Sequence, residues 1–132
     1  MARFTREWIE VLERDINHPS IVMWIPINES WGTPNLRDKR QQAHLKSNYW
    51  LTKSLDPSRL VIENDDRAFG TSDVVSLATR AGLRVVWDVL HHHCHDPAGM
   101  TDREAITAAL ATWPRDLTPK IHYSSPRLDT AT

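Results

Sequence analysis

The segment RLVIENDDRAF, residues 59–69, carries an apolar run, Leu60-Val61-Ile62, straight into Glu63, Asn64, Asp65 and Asp66. Such a run reads as a buried strand, so the strand delivers carboxylates to its own tip. The arrangement recurs along the chain. SIVMWIPI (20–27) ends in Asn28-Glu29-Ser30, RVVWDVL (84–90) carries Asp88 and leads into His91, and KIHYS (120–124) holds His122. Carboxylate oxygen and imidazole nitrogen are atoms of general acid–base chemistry and of divalent-metal ligation. The plainer reading of each stays open: Glu63 and Asp88 can cap the helices that follow them, and His122 can be a satisfied core histidine.

The elements that position these groups follow from the periodicity. Residues 4–16 place Phe4, Trp8, Val11 and Leu12 on one face with charges opposite, an amphipathic helix that Asn17-His18-Pro19 stops. His18 is expected to fix that turn. Thr33-Pro34 can open a helix from about Asn35 to Leu55, ending before Pro57. RLVIEN forms the next strand, Thr71–Ala81 a helix closed by Gly82 at its C-cap, and RVVWDVL another strand. Thr101 and Glu104 match a capping box; the helix they open runs to about Trp113 before Pro114, and KIHYS is the last strand. His91-His92-His93 and His95 read as a solvated loop or as a tract that binds metal loosely and adventitiously, with Cys94 inert in it.

Near-continuous apolar strands alternating with helices suggest a parallel sheet covered on its faces. A doubly wound sheet gathers its site at one switch point, whereas a (β/α)₈ TIM barrel collects groups from several strand ends. The recurring strand-tip chemistry favours the barrel. Barrels of this kind need about 250 residues and eight strands, and four strands are visible here, so the fold class is α/β, a partial (half) TIM barrel spanning 1–132.

Composition narrows the rest. With 132 residues and a net charge of −1 the chain suits one domain and shows no basic footprint for nucleic acid or anionic membrane. The single cysteine, Cys94, precludes an internal disulfide, and no apolar run approaches a membrane span, so a cytoplasmic location is expected. Among the six tryptophans, Trp31 beside Glu29 can be a sugar platform or loop packing.

Two resemblances meet inside the chain. EWIEVLERDINHPSIVMWIPINESWG with QQAHLKSNYWLTKSLDPSRLVIEND, about residues 4–65, resembles the catalytic barrel of glycoside hydrolase family 2. That resemblance implies Glu29 as general acid/base, Asn28 as the contact to a substrate 2-hydroxyl, and a β-glycoside as substrate. A retaining glycosidase needs a second carboxyl about 5–5.5 Å from the first. The strand that should supply it reads KIHYS, so the pattern departs from the family there.

From about residue 59 to 132, RLVIENDDRAF, SDVVSLATRAGLRVVWDVLHHHC, REAITAALATWP and PKIHYSSPR resemble the UV-damage endonuclease family, a metal-dependent TIM barrel. The resemblance implies Glu63, Asp88, His91 and His122 as metal ligands, Lys120 beside the metal cluster, Mn²⁺ as the cofactor and damaged DNA as the partner. Two or more such ions can activate water and stabilise the leaving oxygen of a phosphodiester. The chain therefore reads as a hybrid, residues 1–62 glycosidase-like and 59–132 nuclease-like. The functional expectation is a fragment of a UV-damage DNA endonuclease that is inactive alone. The alternatives are a family 2 glycosidase fragment and a non-catalytic half-barrel. Exposed strand edges predict a homodimer or closure by a partner half-barrel.

Overall fold

The computed structural model describes residues 2–27, 33–35 and 37–124. They group into two compact units, Met1–Leu60 and Val61–Thr132. Asn28, Glu29 and Trp31 lie outside the described residues. Among those described, no helix is long and apolar enough to cross a membrane.

In the first unit helix α1 (Ala2–Asp15) packs against α2 (Lys39–Leu55). The amphipathic pattern of α1 buries Leu12 completely, and the Trp8 indole N–H donates to Thr52 Oγ1 at 2.8 Å. α2 begins at Lys39, later than the sequence suggests, because Asp38 is the residue that caps it: its carboxylate accepts from the Arg40 N–H at 2.8 Å. The expected strand over 20–27 shrinks to one parallel bridge, Trp24 to Leu60. Pro19 and Pro26 bring no N–H to a ladder, and the Ile21 N–H turns back to the His18 carbonyl. His18 does fix this turn, its Nδ1 accepting from the Ser20 N–H at 3.2 Å.

Trp24 is buried, and its indole N–H donates to Asp56 Oδ2 at 2.8 Å. Arg59 pairs with the same carboxylate at 2.6 Å and donates to the carbonyls of Ile21 and Ile16. Burial is the largest single influence on the Asp56 carboxyl and pushes it up. Hydrogen bonds from Ser58 and Trp24 and the Arg59 charge together outweigh it, holding the carboxyl below its ordinary range.

The second unit is a three-stranded parallel sheet in the order β1 (Val61–Glu63), β2 (Arg84–Asp88), β3 (Ile121–His122). Its helices are α3 (Thr71–Ala81), α4 (Val89–Cys94) and α5 (Asp102–Leu110). Each terminus has a local cause. The Gly70 N–H donates to Asp73 Oδ2 at the start of α3, and Gly82, at φ +64°, closes it in the left-handed region that an L side chain resists. Thr101 and Glu104 form the expected capping box of α5.

α5 stops before Trp113 because its tail is diverted onto β2. Thr112 Oγ1 accepts the Val85 N–H at 2.9 Å, and the Trp113 indole donates to the Val85 carbonyl at 2.7 Å. These side chains satisfy the backbone of β2 below the short pairing with β3. Val85, Val86, Trp87, Val74, Ala78, Ala105 and Ala109 make the core, with α3 and α5 packed on β2. Among the described residues three strands in one sheet, rather than about four, therefore carry the α/β architecture of a partial (β/α)₈ barrel.

Candidate metal centre

Register decides which side chains can meet. Glu63 pairs with Val86 and Asp88 with His122. Paired residues of parallel strands share a face, as do residues two apart. Glu63, Asp88 and His122 must therefore leave one face of the sheet, at the carboxyl ends of their strands. The opposite face carries Trp87.

The atoms bear this out. One ligand atom from each of Glu63, Asp88 and His91 lies within 4.8 Å of the others. His122 Nδ1 sits 2.6 Å from Glu63 Oε1 and 3.9 Å from Asp88 Oδ2. Among the described residues the grouped set is thus Glu63, Asp88 and His91, with His122 touching both carboxylates. Lys120 is half-buried just before β3. At about 3.3 Å per residue it stands some 6–7 Å behind His122 along the chain direction.

Hydrogen bonds outside the cluster assign a task to each atom. Asp88 Oδ1 accepts the His91 N–H at 2.9 Å, capping α4. Asp88 thus caps α4 through Oδ1 while Oδ2 lies 3.9 Å from His122 Nδ1, and the cap is why β2 ends at Asp88 instead of running to Leu90. His91 Nδ1 lies 2.9 Å from the Asn64 carbonyl. A carbonyl only accepts, so Nδ1 carries the proton and Nε2 is the ring's acceptor. Burial, the largest influence, raises the Glu63 carboxyl above its ordinary range; the nearby Asp88 charge adds to this, and His122 and His91 oppose it.

Two features were not legible as functional in the sequence. The Asn64 side chain is buried and makes both bonds to the Asp88 backbone: its Nδ2 donates to the Asp88 carbonyl at 2.9 Å and its Oδ1 accepts the Asp88 N–H at 2.8 Å. The second is a chain through Thr71. The Trp87 indole donates to Thr71 Oγ1 at 3.2 Å, and because His92 Nε2 faces a carbonyl that only accepts, Nδ1 of the neutral ring accepts the Thr71 hydroxyl proton at 3.1 Å. His92 Nε2–H then donates to the Met100 carbonyl at 3.2 Å. His92 is consequently buried structure rather than solvated loop, a correction to the reading of the histidine tract. His93, by contrast, is exposed and meets Asp102 at 2.9 Å. Asp65 accepts from three successive backbone N–H groups, those of Arg67, Ala68 and Phe69, and so shapes the loop after β1.

A sequentially ordered parallel sheet, crossed over by helices and bearing carboxylates and histidines at its carboxyl rim, defines a segment of a barrel-type α/β protein. The comparisons with known proteins sharpen this. The profile of the family described as UV-endonuclease UvdE matches residues 22–132, and the chain belongs to that family. It is similar to the UV DNA damage endonuclease of Clostridium perfringens (strain 13 / Type A), 35% identical over 68 residues, which are 50% of this chain and 16% of that protein. It is similar also to the UV DNA damage endonuclease of Bacillus cereus (strain G9842), 30% identical over 90 residues, which are 67% of this chain and 25% of the relative. The structure reported as "Crystal Structure of SacUVDE" superposes with a TM-score of 0.58 at 29% identity, covering 71% of this chain and 32% of that one.

The chain therefore spans a quarter or less of those two curated relatives. The family match begins at Val22 and takes in Asn28, Glu29 and the expected crossover at 59–65. It gives no support to a glycoside hydrolase component.

Proposed function

We propose that this chain supplies part of the metal-binding rim of a UV-damage DNA endonuclease, an enzyme that hydrolyses a phosphodiester in damaged DNA, and that the chain alone is inactive. The observation that carries this reading is the convergence of Glu63, Asp88 and His91 within 4.8 Å, with His122 against two of them. The donor set fits a divalent ion: two carboxylates and imidazole nitrogen suit Mn²⁺ better than softer thiolate-seeking metals. Glu63, Asp88 and His91 would hold it, with His122 as the fourth candidate. Bound there, the ion supplies Lewis acidity to a phosphoryl oxygen and to the oxygen that leaves. The chain's own contribution is orientation: Asp88 is held by its cap to α4, and His91 is held in one tautomer by the Asn64 carbonyl. Lys120, two residues before His122 in the chain, is assigned to the phosphate side of the site.

The packing division at Leu60/Val61 is read as a boundary between packing units inside one partial barrel spanning 1–132, not as a crossover between families. On the outer edge of β3 the described residues provide no further strand, so a second copy or a partner half-barrel is assigned to cover it.

The test is a Mn²⁺ titration followed by loss of the free-ion EPR signal. Wild type is expected to deplete free Mn²⁺, and Asp88→Ala and His91→Ala to leave it free. A wild-type protein that removes no Mn²⁺ refutes the site. UV-irradiated supercoiled plasmid is expected to stay supercoiled with this chain alone; nicking above background refutes the inactive-alone part.

A further inference from the structure

The strand pairing between β1 and β2 ends with Glu63 opposite Val86. Asp88 lies two residues beyond, where a regular ladder would place Asp65 opposite it. Instead, the Asn64 amide forms both hydrogen bonds to the Asp88 backbone, at 2.8 and 2.9 Å, from a position only 1% exposed. The same residue's carbonyl receives His91 Nδ1 at 2.9 Å. Asn64 is also the chain neighbour of Glu63. One buried residue is thus bonded to two members of the cluster and covalently joined to the third.

We propose that Asn64 is the positioning residue of the metal centre: its amide replaces a missing rung of the ladder and sets the Glu63–Asp88–His91 spacing. This rests on the reading of those three residues as metal ligands. No other standard side chain at this length offers a donor and an acceptor side by side to match an N–H and a carbonyl of one residue. Asp has no donor for the Asp88 carbonyl. Ala leaves both Asp88 backbone groups without their partner, and Gln is longer by a methylene. Partners that orient ligands from outside the coordination sphere typically change metal affinity by about 10–100-fold when removed.

The test compares Mn²⁺ dissociation constants, from free-ion EPR, for wild type, Asn64→Ala, Asn64→Thr, Asp88→Ala and Thr112→Val. Thr112→Val is the structural control. It removes a hydrogen bond to Val85 on the same strand, away from the rim, and is expected to bind Mn²⁺ as wild type does. Asn64→Ala is expected to bind about 10–100-fold more weakly while retaining its helical circular dichroism. Asn64→Thr, which keeps a polar side chain but cannot span both groups, is expected to do the same and stands in where Asn64→Ala does not fold. Wild-type affinity in a folded Asn64 variant, with binding lost in Asp88→Ala, overturns the proposal and leaves the metal site intact. An equal loss in Thr112→Val also overturns it, since the effect would then be general loosening of β2. No Mn²⁺ binding by wild type removes the metal reading itself.

Discussion

Asp88 divides its two oxygens between two tasks, and the division can be measured. Oδ1 caps α4 through the His91 N–H, while Oδ2 faces His122. Asp88→Asn keeps a good cap acceptor and removes the charge; Asp88→Ala removes both. In EDTA, Asp88→Ala is expected to lose about 1 kcal/mol, the usual worth of an N-cap side chain, and Asp88→Asn to stay within about 0.5 kcal/mol of wild type. With Mn²⁺ at roughly 100 times its wild-type dissociation constant, binding linkage adds about 2.7 kcal/mol to wild type. For a unit of this size that is about 10–20 °C in Tm, at roughly 4–8 °C per kcal/mol. Both variants are expected to gain less than about 0.5 kcal/mol at the same Mn²⁺, the value left after a 100-fold loss of affinity. Thermal melts by circular dichroism, with amide exchange at Val85 and Val86 to assign the transition to the Val61–Thr132 unit, read both quantities. Equal Mn²⁺ stabilisation of Asp88→Asn and wild type would show that the carboxylate charge is not used by the ion. Equal metal-free loss in the two variants would refute the cap argument.

Other expectations follow from single contacts. Thr71→Val removes a hydroxyl that both accepts from Trp87 and donates to His92; stranding two buried groups is expected to cost about 2–4 kcal/mol in urea unfolding, and a cost under about 0.5 kcal/mol would contradict the assigned chain. A Cβ on Gly70 would lie 2.8 Å from Pro97 Cδ and 3.4 Å from the His95 carbonyl oxygen, so Gly70→Ala is expected to destabilise by about 1–3 kcal/mol, checked by the same melts. In the first unit, Asp56→Asn leaves Arg59 without its charge partner and is expected to cost about 2–4 kcal/mol at neutral pH. The Asp56 carboxyl is depressed on folding, so wild type holds this advantage above the unfolded carboxyl's pKa and loses it as pH falls through the lower folded value. Urea midpoints from neutral to acid pH should therefore converge for the two proteins; a constant gap would refute the ion-pair account.

What the sequence revealed and concealed separates by the range of the forces involved. The ends of α3 and α5 were legible because Gly82 and the Thr101–Glu104 pair act on the chain within four residues. The tips of β1 and β2 were legible because an apolar run has to end somewhere, and a carboxylate at that end is conspicuous. The strand expected over 20–27 failed because Pro19 flanks it and Pro26 interrupts it, and among its described residues only Trp24 forms a strand bridge, to Leu60. His92 looked like its neighbours in a histidine tract. Its burial is set by Thr71 and Met100, 21 and 8 residues away, which no local pattern announces. The suggested glycosidase half rested on the NHPS turn, the Trp-bearing run and the Asn-Glu pair within about residues 4–65, whereas the family match extends across residues 22–132.

The least legible residue, Asn64, bears most on the chemistry. In a regular parallel ladder, backbone bonds would continue from Glu63–Val86 to the next rung and draw the two strand tips together at the usual spacing of about 4.8 Å. Glu63 and Asp88 share a face two residues out of register, and the Glu63 carboxyl is raised first by burial and then by the Asp88 charge. Ending the ladder early and letting a side-chain amide span to Asp88 keeps the strands joined while leaving Glu63 and Asp88 room for a shared positive partner. His122 Nδ1, 2.6 Å from Glu63 Oε1, already occupies part of that space. A cation would take more of it, because a divalent charge favours both carboxylates in their ionised form. The Asn64 backbone carbonyl, distinct from that side-chain amide, keeps His91 in the tautomer whose Nε2 accepts. Ligand spacing is therefore tied to the Asn64 side chain and the His91 tautomer to the Asn64 backbone, and a substitution there is expected to disturb the spacing directly.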